Sequence, residues 1–217
     1  MLPKIGSGVA LDLGCGVGVY SLDLHKIGYV VISLDISKSY LEKVRSLRMA
    51  WFKVGRGDEW RWYLINANAE YLPFRDNSLD FILCSEVLEH VPNMFKALRE
   101  IIRCLKPGGI LVLSIPSSLS FTEKFLSGEE HLHKINPIWL REFLCTNGFS
   151  LIEEKHCNFA IRPLQHVLFK LKMPSFFENF ILRLWLELDK LIGRIPIVKF
   201  TSWCYVAKFK KIKTVKT

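Results

Sequence analysis

The feature that most constrains the fold of this 217-residue chain is a glycine-rich loop near its N-terminus. The loop, Asp12–Gly18, overlaps the end of the apolar run Val9–Leu13 and precedes a stretch of helical character over 18–27. Glycines permit a tight strand-to-helix turn and let the backbone approach a ligand closely. The N–H groups at the start of the helix can then face a polar or anionic group. The pattern therefore predicts a ligand-binding turn at the edge of a sheet.

An acidic residue supports this interpretation. A second apolar run ends at Asp35, 23 residues after Asp12. A carboxylate at that place can accept hydrogen bonds from both ribose hydroxyls of a nucleoside. A dinucleotide site would also need a third glycine at position 19 or 21, where the chain has Val19 and Ser21. The spacing therefore argues against NAD.

Strand-like and helix-like segments alternate through the first two thirds of the chain. Apolar runs of this kind suit strands that are buried on both faces of a sheet. Alternation with helices indicates a parallel sheet with right-handed crossovers. The predicted strands are 9–13, 29–34, 60–65, 79–84, 110–115, 149–153 and 201–209. The predicted helices of this part are 18–27, 38–48, 92–104 and 136–145.

The net positive charge comes almost entirely from one region. The chain has 30 Lys and Arg against 21 Asp and Glu, a net charge of +9. Residues 1–150 contribute 17 − 16 = +1 and residues 151–217 contribute 13 − 5 = +8. Within the basic part we expect a helical insertion over 158–198, rich in aromatic residues and leucine, and a solvated basic tail over 210–217. The insertion suits a substrate lid, an oligomer contact, a contact with an anionic membrane surface, or plain packing on the sheet.

Several motifs together resemble one family. The D-x-G-x-G-x-G form of the loop is similar to motif I of the class I S-adenosylmethionine-dependent methyltransferases. Residues 68–74, 78–91 and 105–111 resemble that family's segments around strands 3, 4 and 5. The resemblance covers about 9–155 and is strongest to small-molecule methyltransferases related to ubiquinone-biosynthesis enzymes. It implies an α/β, Rossmann-like, doubly wound seven-stranded sheet of order 3-2-1-4-5-7-6. Strand 7 would be antiparallel, and the helical insertion would lie between strands 6 and 7.

The resemblance also implies a set of cofactor-binding residues. Asp12 would lie near the amino group of S-adenosylmethionine, Asp35 would bind the ribose and Ile36 would lie against adenine. Asn68 stands where the family often has aspartate, and its side-chain carbonyl can still accept a bond from the adenine amino group. Glu86 would flank the methionine part and the substrate, with a structural role as the alternative. The full set is Asp12, Gly14, Cys15, Gly16, Gly18, Asp35, Ile36, Asn68, Ala69 and Glu86.

The reaction implied is SN2 transfer of the sulfonium methyl group, leaving S-adenosylhomocysteine. A general base is needed only if the acceptor must lose a proton. Candidate bases are His131, His133 and Tyr20, while His90 is expected to be structural. The six cysteines include no CxxC pair and no cluster with histidine, so we expect buried reduced thiols and no metal site.

The sequence therefore predicts a single methyltransferase domain, 1–217, that acts on a small-molecule or lipid-like acceptor. The alternatives are a nucleic-acid or protein methyltransferase, or a non-catalytic cofactor-binding module at a membrane. The near-neutral residues 1–150 and the absence of an Asn-Pro-Pro-Tyr-like tetrapeptide after strand 4 disfavour nucleic acid. We expect a cytoplasmic protein, and the region 158–217 is where an anionic membrane would be contacted. The sequence leaves monomer and homodimer open.

Overall fold

The computed structural model describes residues 1–55, 61–116, 132–157 and 204–212. Within these ranges, α-helices alternate with strands along most of the chain. The elements are β1 (Val9–Leu13), α1 (Val19–Lys26), β2 (Val30–Asp35), α2 (Lys38–Lys53), β3 (Trp62–Asn66), β4 (Leu79–Ser85), a 3-10 turn (Leu88–His90), α3 (Met94–Cys104), β5 (Leu105–Pro116), α4 (Pro137–Thr146), β6 (Phe149–Cys157) and β7 (Cys204–Lys211).

The seven strands form one sheet of order β3-β2-β1-β4-β5-β7-β6. Strands β1 to β5 pair in parallel, and β7 pairs antiparallel with both β5 and β6. The strand order and the reversed last strand are those predicted from the sequence, so the predicted fold class is confirmed. The carboxyl ends of β1, β2 and β4 meet at one edge of the sheet, where a doubly wound fold reverses its strand order and binds ligands.

Each face of the sheet packs against its own pair of helices. Leu11 and Leu13 of β1 belong to a buried cluster shared with α3 and α4. Ala10, on the opposite face, belongs to a cluster shared with α1 and α2. Because side chains alternate along a strand, Asp12 lies on the same face as Ala10. The charged residue of the loop motif therefore lies on the α1–α2 side.

Short-range signals set several helix boundaries as predicted. Asn136 caps α4 by accepting hydrogen bonds from the N–H groups of Ile138 and Trp139, and Pro137 occupies the first helical position. Gly28 follows α1 with a φ of +109°, a left-handed conformation that favours glycine.

Other boundaries differ from the predictions. The strand predicted at 60–65 begins at Trp62, and helix α2 continues to Lys53 instead of ending at 48. The strand predicted at 110–115 begins at Leu105, with a bulge in its pairing to β4, since Leu79 pairs with Leu105 and Phe81 pairs with Ile110. Pairing with β7 carries β6 on to Cys157, well beyond the predicted end at 153.

The prediction of a solvated basic tail over 210–217 is wrong for Lys211. This residue closes β7, is 2% exposed, and its ammonium donates to the carbonyls of Ile102 and Leu105 and to Asn77 Oδ1. Burial lowers the pKa of its ammonium. Residues 213–217 of the predicted tail lie outside the described residues, as does the predicted insertion over 158–198.

None of the helices among the described residues is long and apolar enough to cross a bilayer.

Candidate cofactor site

A pocket of about 660 Å³ opens at the carboxyl ends of β1, β2 and β4. This volume lies within the range of about 300–1,000 Å³ that is typical of small-molecule sites. The lining residues come from the glycine loop and from the segments that follow β2, β3 and β4. They are Leu13, Gly14, Gly16, Val17, Leu34, Asp35, Ile36, Tyr40, Ala67, Asn68, Ala69, Glu86, Val87, His90, Val91 and Pro92.

The glycine loop forms the floor of this pocket. The N–H groups of Gly14 and Cys15 both donate to the Leu34 carbonyl, at 2.8 and 3.0 Å, which holds the loop against β2. Gly14 has a φ of +67°, and a Cβ atom there would collide with Val87. Gly16 has a φ of +52°, but a Cβ atom added to it would meet nothing within 4 Å. Gly14 therefore permits close packing, whereas Gly16 leaves open space where a ligand can approach the backbone.

Asp35 connects the loop to the next strand. Its Oδ2 accepts a hydrogen bond from the Gly16 N–H at 2.9 Å, and its Oδ1 accepts one from the Ser37 N–H at 2.8 Å. Each carboxylate oxygen can accept a further bond. Asp35 is therefore held in a fixed orientation and can still receive two hydroxyl groups.

The segments after β2 and β3 form one wall of the pocket. Ile36 is 70% exposed, which leaves an apolar surface beside Asp35. Asn68 Oδ1 accepts a hydrogen bond from the Glu70 N–H at 2.9 Å, so the side-chain amide is oriented with its carbonyl still able to accept a second bond. Ala69 is buried beside it. This wall therefore offers the pocket both an apolar surface and an amide acceptor.

Glu86 lies on the other side of the loop, just after β4. Its φ is +53°, a left-handed value that few residues other than glycine adopt. Its N–H donates to the Ser114 carbonyl at 3.0 Å, and its Oε1 accepts from Ser114 Oγ at 2.8 Å and from Cys204 Sγ at 3.6 Å. Unusual backbone conformations that surrounding contacts maintain are often found at functional sites. Glu86 and Asp35 are the carboxylates among the lining residues.

Asp12 is not among the residues that line the pocket. It is buried below the loop, where Oδ2 accepts a hydrogen bond from Ser21 Oγ at 2.5 Å. Ser21 Oγ also contacts Ser33 Oγ at 2.6 Å, and the Trp62 indole donates to Ser33 Oγ at 2.8 Å. Burial raises the pKa of the Asp12 carboxyl to about 6. Asp12 thus belongs to a buried polar chain that joins β1, α1, β2 and β3.

Two further loop residues from the predicted set are also absent from the lining. Cys15 is buried in the core on the α1–α2 side, and burial raises the pKa of its thiol. Gly18 precedes α1 with a φ of +84°, and a Cβ atom there would lie 3.0 Å from Val44. The structure thus places Gly14, Gly16, Asp35, Ile36, Asn68, Ala69 and Glu86 together, and separates Asp12, Cys15 and Gly18 from them.

The structure shows where two of the three candidate bases lie relative to the pocket. Tyr20 is 49% exposed on α1 and does not line the pocket. His133 Nε2 lies 2.8 Å from the Val91 carbonyl, and because a carbonyl only accepts, Nε2 is the donor. That bond fastens the segment before α4 to the pocket wall. His131 lies outside the described residues. His90, which we expected to be structural, is exposed in the pocket wall.

The sequence reasoning missed the wall formed by the 3-10 turn and the residues beside it. Its members are Val87, His90, Val91 and Pro92. Tyr40 of α2 and Val17 of the loop also line the pocket and were not in the predicted set. The turn follows directly from the recognised strand 4 motif, so its position could have been inferred, but which side chains face the pocket depends on the local backbone. Among the described residues, no group of three or more His, Cys, Asp or Glu could hold a metal ion.

Comparisons with known proteins agree with this geometry. A family model described as a methyltransferase domain matches residues 11–113. An uncharacterised protein of Methanocaldococcus jannaschii is 31% identical over 191 residues, which cover 86% of this chain and 72% of that protein. Demethylmenaquinone methyltransferase of Staphylococcus aureus is 37% identical over 108 residues, 48% of this chain and 41% of that enzyme. The chain thus aligns with less than half the length of that enzyme.

A solved structure extends the agreement to the whole fold. An S-adenosylmethionine-dependent methyltransferase of Mesorhizobium loti superposes with a TM-score of 0.65 at 17% identity, over 96% of this chain and 93% of that one. Fold and site define a doubly wound α/β domain with a pocket at its switch point. With the methyltransferase-domain match and this fold together, the chain belongs to the class I S-adenosylmethionine-dependent methyltransferase family. S-adenosylmethionine, the cofactor predicted from the sequence, is the cofactor of this family.

Proposed function

We propose that the protein transfers the methyl group of S-adenosylmethionine to a small-molecule or lipid-like acceptor. The observation that carries the proposal is the row of polar groups along the sheet edge. Strand order places Asn68 after β3, Asp35 on β2, Gly14 after β1 and Glu86 after β4. Neighbouring strands lie about 4.8 Å apart, so Asp35 and Glu86 are separated by about 10 Å across the loop. This row suits an elongated ligand with a ring at one end and a charged group at the other.

Each residue of the row binds a different part of the cofactor. Ile36 and Asn68 hold the adenine ring, and Asp35 accepts hydrogen bonds from the two ribose hydroxyls. The open backbone at Gly16 contacts the methionine part. In place of Asp12, which is buried below the loop, Glu86 supplies the negative charge that faces the cofactor's ammonium group.

Catalysis then depends on alignment. When bound, S-adenosylmethionine supplies a methyl group already activated by its positive sulfur. The chain's residues orient the acceptor in line with that methyl group and exclude water from it. If the acceptor must lose a proton, the exposed His90 imidazole in the pocket wall is a candidate base.

An apolar surface beside the pocket supports the acceptor class. Phe95 is 49% exposed, and its ring lies 5.5 Å from Trp139 and 6.1 Å from Phe143. Leu132, also exposed, donates its N–H to the Glu89 carbonyl in the 3-10 turn that borders the pocket. Exposed apolar clusters of this kind commonly mark binding surfaces. The similarity to a demethylmenaquinone methyltransferase is consistent with an apolar acceptor.

Calorimetry with S-adenosylhomocysteine tests the cofactor assignment. We expect wild type to bind it and Asp35→Ala to bind it at least about 100-fold more weakly, because two charge-assisted hydrogen bonds are lost. Asp23→Ala is the matched control, since Asp23 is an exposed aspartate on α1 that pairs with Lys26. Equal binding by wild type and Asp35→Ala, or no binding by wild type, would refute the assignment.

A further inference from the structure

The Glu86 carboxylate receives two donors on one oxygen. Ser114 Oγ and Cys204 Sγ both contact Oε1, while no donor among the described residues contacts Oε2. The Ser114 carbonyl also accepts the Glu86 N–H, so the same residue of β5 fixes both the backbone and the side chain. The left-handed φ of Glu86 is thus maintained from β5.

The hydroxyl contacts have a defined direction. Ser114 Oγ lies 2.9 Å from Ser85 Oγ and 2.8 Å from Glu86 Oε1. A carboxylate only accepts, so the single hydroxyl hydrogen of Ser114 goes to Glu86, and Ser85 must then donate to Ser114. The chain of bonds runs from Ser85 through Ser114 to Glu86. It orients the Ser114 hydroxyl toward the carboxylate.

The second donor comes from a distant part of the sequence. Cys204 begins β7, and its pairing with Pro116 places it two residues beyond Ser114 along β5. It is buried, so its thiol is held beside Glu86 by the sheet. A thiol is a weak donor, and Cys204 Sγ also lies 3.8 Å from the Tyr205 carbonyl, so its contribution to binding should be smaller than that of Ser114.

We propose that Ser114 and Cys204 are positioning residues that act through Glu86. By occupying Oε1 they leave Oε2 as the atom that meets the cofactor's ammonium group. This inference rests on the proposed function, because it assigns a task to two residues that do not line the cofactor pocket.

Two ligands separate this role from a general structural one. S-adenosylhomocysteine carries the ammonium group, whereas methylthioadenosine has the same nucleoside and a thioether but no amino-acid part. With the full-length chain in calorimetry, we expect Glu86→Gln to weaken S-adenosylhomocysteine binding about tenfold or more, Ser114→Ala about fivefold and Cys204→Ala about threefold. Methylthioadenosine binding should stay within about twofold of wild type in all three variants.

A double variant and a conservative substitution complete the test. In a Glu86→Gln background, Ser114→Ala should add less than about twofold, because its effect passes through the missing charge. Cys204→Ser keeps a donor and should bind like wild type. Cys104→Ala removes another buried thiol, one that donates to the Phe74 carbonyl, and should leave binding unchanged.

The outcomes are distinct. If wild type binds S-adenosylhomocysteine but Ser114→Ala binds it equally well, the positioning role is wrong and the proposed function stands. The positioning role is also wrong if Ser114→Ala weakens both ligands alike, or if its effect persists undiminished in the Glu86→Gln background. If wild type binds neither ligand, the proposed function itself fails.

Discussion

The two sides of the pocket are built in different ways. We call the side proposed to bind the nucleoside the nucleoside side and the side proposed to face the acceptor the transfer side. On the nucleoside side, at the ends of β1, β2 and β3, Asp35 accepts hydrogen bonds from the N–H groups of Ser37 and of Gly16, which is 19 residues away. On the transfer side, at the ends of β4, β5 and β7, Glu86 is held by Ser114 and by Cys204, which is 118 residues away. A local motif therefore assembles one side, and the completed sheet assembles the other.

This difference matches the two tasks proposed for the pocket, which are binding the nucleoside on one side and transferring the methyl group on the other. A nucleoside site built from a glycine loop and the acid at the end of the next strand can be encoded by a short motif. The transfer side is the one proposed to face the acceptor. Its Ser114 lies on β5, which pairs directly with β4, but Cys204 reaches Glu86 only because β7 inserts between β5 and β6. Substitutions at the joint between the sides, and then on each side, test how far they are independent.

The largest effect should come from Gly14, where the two sides meet. Gly14→Ala would place a methyl group against Val87, in the segment that follows β4, and would do so at a φ of +67°. Left-handed strain costs an alanine roughly 1 kcal/mol and overpacking adds about 1–3 kcal/mol, so we expect a loss of about 3 kcal/mol in the free energy of unfolding. Urea denaturation followed by circular dichroism measures it.

Gly55→Ala provides the matched control for the backbone term. Gly55 has a φ of +69°, close to that of Gly14, but an added Cβ atom there would meet nothing within 4 Å. Its replacement should therefore cost only about 1 kcal/mol. Equal losses in the two variants would show that contact with Val87 is unimportant and that the two sides are not tightly joined.

The same division explains what could be predicted from the sequence. That Asp35 and Gly16 line the pocket was predictable from the loop motif and its spacing, and Ile36 was identified by the family resemblance. The network around Glu86 was not identifiable, because nothing near Ser114 or Cys204 in the sequence indicates that they meet. Asp12 was misplaced for a simpler reason. Its motif position was known, but strand alternation turns its side chain toward α1 and away from the pocket.

The second prediction concerns Asp12, below the nucleoside side. Its folded-state pKa of about 6 exceeds the ordinary value of 3.8, so between these values the folded protein binds more protons than the unfolded chain. Wild-type stability should therefore contain a component that falls as pH rises from about 4 to 6 and is then constant, amounting to about 2–3 kcal/mol. Asp12→Asn should lack this component, because asparagine does not ionise.

The measurement is the difference in unfolding free energy between Asp12→Asn and wild type at several pH values. The difference should shift in favour of the variant by about 2–3 kcal/mol as pH rises through this window. Asp23→Asn, at the exposed aspartate on α1 that pairs with Lys26, should show no such trend. A difference for Asp12→Asn that does not vary with pH would mean that the buried polar chain holds Asp12 ionised throughout.

The smallest effect concerns Lys211, which anchors β7 at its far end. Lys211→Met keeps most of the side chain's apolar length but leaves the carbonyls of Ile102 and Leu105 without the ammonium donor. Leaving these carbonyls unpaired costs free energy, but the variant no longer has to bury a charge, which offsets part of that cost. We therefore expect a net loss of about 2 kcal/mol in the free energy of unfolding, measured by urea denaturation. Lys210→Met, at an exposed neighbour on the same strand, should change stability by less than about 0.5 kcal/mol.

Affinity for S-adenosylhomocysteine should change less than about twofold in Lys211→Met, because Cys204 lies at the opposite end of β7 and is fixed there by its own pairing with Pro116. A larger loss of affinity would show that the transfer side depends on the anchoring of the whole strand.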